Sequence, residues 1–134
     1  MPRPPVLPAI DWKKVFDSGR TFEAWLDAAE HPEHVEKMKG AIERQRLEAT
    51  TLAALRAIGR PVHVIAFAED WCGDVVRHVP VLERMVHENE NLNVRYVARA
   101  EQPEAFVRFL TNGGEAVPKF VFLSDQFVEC GNWG

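Results

Sequence analysis

The chain has 134 residues, a formal net charge of −4 and a hydrophobic fraction of 46%, the balance of one ordinary globular domain that buries a core without staples. Acidic and basic residues are mixed along it with no basic stripe, which argues against nucleic acid as a partner. No apolar run approaches the ~20 residues that span a bilayer, so no membrane partner is expected. The Pro-rich start, Met1 to Pro8, has no apolar leader segment. With two cysteines and no such leader, the chain reads as a cytoplasmic one with reduced thiols.

Residues 1–10 read as an extended Pro-rich arm. Phe22, Trp25, Leu26 and Ala29 fall at helical spacing behind Thr21 as N-cap. Pro32 suits the first turn of a second, long helix. Its apolar stripe runs through Val35, Met38, Ile42, Ala49, Leu52, Leu55 and Ile58, with a flaw around Gln45 and a bend or break expected at Gly40. Gly59 and Pro61 stop it. Val62 to Phe67 is β-branched and almost wholly apolar, which predicts a buried central strand. From Gly73 to about Glu88 the pattern is helical, with Val75, Val76, Val79, Leu82, Met85 and Val86 inward and Pro80 as a kink.

Leu92 to Ala98 alternates and reads as an edge strand. Pro103 opens a short helix through Leu110, closed by Asn112-Gly113-Gly114. Lys119–Leu123 and Phe127–Trp133 are two strands joined by a Ser124-Asp125-Gln126 turn. The order after residue 60 is strand, helix, strand, helix, strand, strand, which gives a small mixed α/β sheet.

The chemistry concentrates at Glu69-Asp70-Trp71-Cys72-Gly73-Asp74, where the central strand turns into a helix. A thiol at a helix N-terminus feels the positive end of the dipole, which favours thiolate. Glu69, Asp70 and Asp74 oppose ionisation, and Arg77 and Lys119 offset them where they point inward. A dithiol motif needs a second Cys three residues on, and that position is Val75. Cys130 falls within the last strand, away from Cys72, and reads as a small buried hydrophobe. The five histidines are scattered and Cys72 with His78 has no usual metal spacing, so no metal is assigned. His63 lies on the buried strand and reads as a satisfied core residue.

Together these features resemble the thioredoxin-like superfamily. Trp71-Cys72-Gly73 sits between strand and helix, Pro80 follows eight residues after Cys72, and Val117-Pro118 precedes the strand Phe120-Val121-Phe122-Leu123. Glu69 to Asp74, Asn112 to Gly114 and Trp133-Gly134 resemble a little-characterised bacterial group with a single active-site Cys. The resemblance implies an α/β thioredoxin-like fold: a central mixed four-stranded sheet flanked by helices, with its core at 61–134 and an N-terminal helical extension at 11–60 that packs on it. It implies Cys72 as catalytic residue and Trp71, Gly73, Asp74, Val117 and Pro118 as substrate groove, with a cis bond before Pro118.

Two departures shape the expected function. Thioredoxins carry Cys-Gly-Pro-Cys where this chain has Cys72-Gly73-Asp74-Val75, and a buried acid where this chain has Ala66. Without a resolving thiol, no base is needed to activate one. The expectation is a monothiol thiol–disulfide oxidoreductase acting on protein or glutathione mixed disulfides, without cofactor, as monomer or weak dimer. Glutathione or another small thiol would serve as co-substrate and release the product. The other class of function is a thioredoxin-fold protein-binding module in which Cys72 is incidental. Thioredoxin-like folds end in a helix on one sheet face, and this chain has none after its last strand. Cover for 119–128 is expected from the helices with Phe22, Trp25 and Leu26, from a second subunit, or, favoured slightly, from chain beyond Gly134.

Overall fold

The computed structural model describes residue 2 and residues 9–109 and 116–134. The carboxylate of Asp11 accepts the backbone N–H of Lys14 and so starts α1, Trp12–Ser18. Trp12, Val15 and Phe16, at i, i+3 and i+4, form its buried stripe. Thr21 caps α2, Phe22–Asp27, by accepting the N–H of Ala24. Helices α3 (Pro32–Arg44) and α4 (Ala49–Arg56) follow, then β1 (Val62–Phe67), α5 (Gly73–Val86), β2 (Leu92–Val97), the single turn α6 (Pro103–Phe106), β3 (Lys119–Leu123) and β4 (Glu129–Trp133). The Asn112-Gly113-Gly114 stop lies outside the described residues.

The sheet order is β2-β1-β3-β4. β1 runs parallel to β2 and antiparallel to β3, and β4 is antiparallel to β3. The fold is therefore α/β and thioredoxin-like, with a mixed four-stranded sheet preceded by helices. Register sets the two faces. His63, Ile65 and Phe67 share one face with Arg95, Val97 and Val121. Phe16 meets His63 there, and Phe106 meets Phe67. Val64, Ala66, Val94, Tyr96, Phe120 and Phe122 share the other face. Over it lie Val75, Val79, Pro80 and Leu82 of α5, all buried. Beyond β2, Arg20 exchanges two backbone hydrogen bonds with Tyr96, at 2.9 and 2.8 Å. Gly19 permits this approach, since a Cβ there would stand 2.7 Å from that of Arg95.

Several expectations are corrected. The long helix breaks at Gln45, not Gly40, and resumes at Ala49. A glycine inside a helix costs only about 1 kcal/mol, and buried Met38 and Ile42 on either side of Gly40 hold that turn. The apolar stripe fails instead at the polar run Glu43 to Arg46. β4 begins at Glu129 because Phe127 adopts φ 60°, outside extended geometry. Stacking of its ring on His63 at 4.1 Å holds it there. Phe22 and Trp25 cover Tyr96 on β2, not β3. Phe122 is only half-buried and Val128 is exposed. Cys130 is exposed rather than buried, because β4 is the outermost strand with a single neighbour. His63 is packed between rings, yet among the described residues its buried Nδ1 has no hydrogen-bond partner.

Sequence reading also passed over the polar pair in this core. Glu83 of α5 is buried and accepts the Tyr96 hydroxyl proton at 2.5 Å. Burial pushes the Glu83 carboxyl up to about 7, against the lowering effect of the Tyr96 bond. Burial and the Glu83 charge push the Tyr96 phenol up as well. Folding thus favours protonated Glu83. Its contribution is fully present below the ordinary carboxyl value of 4.5 and is lost as pH rises to about 7. A shift of that size corresponds to roughly 3 kcal/mol. Burial pushes His63 down, which removes stability as pH falls below its ordinary 6.5, the opposite sense. The Glu83 component is therefore isolated by comparing urea unfolding of wild type and Glu83→Gln across this pH range. The stability of wild type relative to the variant should fall between pH 4.5 and 7.

Candidate active site around Cys72

β1 ends at Phe67, and Ala68 extends its pairing by donating to the carbonyl of Val97. The chain then turns through Glu69–Trp71, with the Cys72 N–H donating to the Glu69 carbonyl at 3.3 Å. Cys72 is the N-cap of α5, with extended backbone (φ −84°, ψ 126°) and a carbonyl that accepts the N–H of Val76. Its thiol thus sits where unpaired N–H groups of the first helical turn concentrate positive potential. The side chain is half-buried. Sγ donates to the backbone carbonyl of Val117 at 3.7 Å. The Val117–Pro118 peptide bond is cis, and both residues are buried.

The loop is fixed from both sides. Asp70 Oδ2 accepts the backbone N–H groups of Glu30 and His31, both at 2.9 Å, and its carbonyl lies 2.6 Å from His34 Nδ1. On the other side Glu69 Oε1 accepts the Arg99 N–H at 3.2 Å and pairs with its guanidinium at 3.5 Å. That guanidinium lies 5.7 Å from the centre of the Trp71 ring. Trp71 itself is 51% exposed beside the thiol. Gly73 is exposed and a Cβ there would meet nothing within 4 Å, so the approach past it is open. Asp74 is exposed in the first turn of α5.

Beneath the thiol the interior is aliphatic. Ala66 and Val75, where a thioredoxin carries an acid and a second thiol, are both fully buried. Lys119 is buried too, and its ammonium donates to the Gly134 carbonyl at 2.7 Å, while Arg77 is exposed. The structure therefore brings the Cys72 thiol into contact with Val117; Trp71, Gly73 and Asp74 stay exposed next to Cys72 in the chain. Cys130 pairs near the far end of β3, about 15 Å along the strand from Val117. That is well beyond disulfide reach. Among the described residues no group of three or more His, Cys, Asp or Glu is placed to hold a metal. None of the described helices is long and apolar enough to cross a membrane.

Two partners in this site were not foreseen. Arg99 gives no periodic signal, because it lies in the irregular turn after β2. Asp70 carried one: an acid that precedes a helix start can cap, but here it caps a segment 40 residues earlier.

The thioredoxin family profile matches residues 19–134, and the chain belongs to that family. The fold is shared with a protein of unknown function from Pseudomonas aeruginosa, at TM-score 0.79 and 19% identity over 93% of this chain and 76% of that one. An HIV epitope-scaffold structure matches equally well, at TM-score 0.79 and 19% identity over 92% and 76% of the two chains. No curated protein matches.

Asp70→Ala should cost about 1–2 kcal/mol in urea unfolding, because two backbone N–H groups lose their acceptor. Asp70→Asn keeps an acceptor oxygen and should recover most of it.

Proposed function

We propose that this chain is a monothiol thiol–disulfide oxidoreductase of the cytoplasm, acting through Cys72 on protein or glutathione mixed disulfides. We also place it with the bacterial thioredoxin-like group that carries Glu-Asp-Trp-Cys-Gly-Asp. The observation that carries the reading is the Cys72 thiol: its residue stands at the N-cap of α5, it donates to the Val117 carbonyl, and its chain neighbours are an exposed Trp71 and an exposed, uncrowded Gly73. Residues 61–134 supply all of these groups, and residues 11–60 brace the loop through Asp70.

In the first step the Cys72 thiolate attacks one sulfur of a mixed disulfide. An Sγ–S bond forms, the original S–S bond breaks, and the other sulfur leaves as thiolate and takes a proton from solvent. With Val75 behind it, Cys72 has no internal partner to release the product. An external thiolate such as glutathione attacks the sulfur bound to Sγ, which regenerates Cys72 and forms a new external disulfide. Each turnover takes up one external thiol, releases one sulfur of the substrate as a thiol, and leaves the other in the new external disulfide.

The exposures of the two cysteines make a sharp test. Accessibility alone favours alkylation of exposed Cys130 over half-buried Cys72. Iodoacetamide at neutral pH should nonetheless label Cys72 first, as read by peptide mass spectrometry. Faster labelling of Cys130, together with no mixed disulfide trapped by wild type, would mean a binding module with an incidental thiol. A second expectation concerns Val75→Cys, which restores a sulfur one helical turn from Cys72. The folded variant should reduce insulin faster than wild type, with a gain limited by the absence of an acid at Ala66.

A further inference from the structure

Between α2 and the loop that carries Cys72 lies a cleft of about 310 Å3. The exposed ring of Trp71 lines it, together with the buried residues Trp25 and Tyr96. Glu30, Glu69, Asp70 and Glu101 supply carboxylates, against Arg20 as the one cation of the lining. Arg99 borders it and is held by Glu69 and the Trp71 ring. With Arg99 included, the acids remain in excess. The same loop thus already holds one organic cation by a carboxylate and an aromatic face, the combination that recognises such groups.

We infer that this cleft receives an organic cation, an ammonium or guanidinium group, carried close to the sulfur of the disulfide that reacts at Cys72. The inference rests on the proposed reactivity of Cys72 and names its substrate class. Trp71 joins the two sites, since it lines the cleft and directly precedes the thiol. Glutathione carries two carboxylates and one ammonium, so the acidic cleft disfavours it relative to an aminothiol. Selection operates mainly through the local potential, which raises the encounter rate of the favoured charge and weakens with salt.

The test uses Cys130→Ser, so that only Cys72 reacts. Mixed-disulfide formation is timed by mass spectrometry with cystamine, 2-hydroxyethyl disulfide and 3,3′-dithiodipropionate, which are cationic, neutral and anionic. Each rate is divided by that of free 2-mercaptoethanol with the same reagent. Cystamine should exceed dithiodipropionate by about tenfold or more after this correction, and the ratio should fall with added salt. Glu30→Gln with Glu101→Gln should also collapse the ratio while leaving the neutral reagent unaffected. Equal corrected rates for the three reagents overturn the cation site and leave the thiol reading intact. Agmatine titrated into Cys72→Ser, read by tryptophan fluorescence, separates the other case. Saturable quenching that the double Gln variant loses supports the cleft even where Cys72 proves inert, and no saturation overturns it.

Discussion

The carboxylate of Asp70 holds together parts of the chain that are otherwise distant. It gathers two backbone N–H groups from the turn before α3, while its own carbonyl meets His34. An unpaired N–H at such a turn would cost about as much as a lost hydrogen bond. The loop from β1 to α5 and the start of α3 therefore share one set of bonds. α3 in turn packs along α5. The residue two positions after Asp70 is Cys72, so the direction in which the thiol points depends on a bond to the N-terminal helices. Residue 99 completes the restraint from the other flank through Glu69. A thiol held by two independent anchors keeps its place at the helix terminus, where the backbone potential acts on it.

Much of this was legible in the sequence because the signals were local and strong. Val62 to Phe67 could only be a buried strand, and the strand–Cys–helix order placed the thiol at a helix start without knowledge of any contact. The capped start of α2 at Thr21 was equally plain. α1 carried the same kind of signal, an Asp11 cap and an apolar i, i+3, i+4 set; it fell within the helical extension drawn at 11–60 but was not given a helix of its own. Elements failed where tertiary packing outweighed local preference. Gly40 stays helical because Met38 and Ile42 are buried around it, and Phe127 leaves the strand because its ring gains more against His63 and Phe16. Cys130 was misread for a different reason. Its residue type favours burial, but position in the sheet order decides exposure, and a strand with one neighbour has little to bury against.

The buried pair Glu83–Tyr96 shows what periodicity conceals. Glu83 follows Val79 by four residues, so it falls on the inward stripe of α5, and a pattern of apolar positions passes over it. The carboxyl survives there because Tyr96 supplies a hydroxyl and Trp25 seals the pair by stacking on the phenol ring at 4.8 Å. A buried acid is thus present in this fold, but eleven residues past Cys72, about three helical turns along α5. It is too far to exchange a proton with the thiol. The position that would serve the thiol, Ala66, is apolar.

The loss of the acid and the loss of the second thiol follow from one another physically. A thiol at Val75 would be fully buried at the end of the hydrophobic strip of α5 and would need a nearby base to ionise. With valine there, a carboxylate at position 66 would be a buried charge with no proton to move, and alanine removes that cost. What remains is a single sulfur at the helix terminus, with the Val117 carbonyl beside it, and in the proposed reaction the thiol that completes the turnover comes from outside. In that proposal, selectivity comes from the surface around Cys72 rather than from a second sulfur. On the side of that surface facing α2, Trp71 meets the carboxylates of Glu30, Glu69, Asp70 and Glu101 along one cleft.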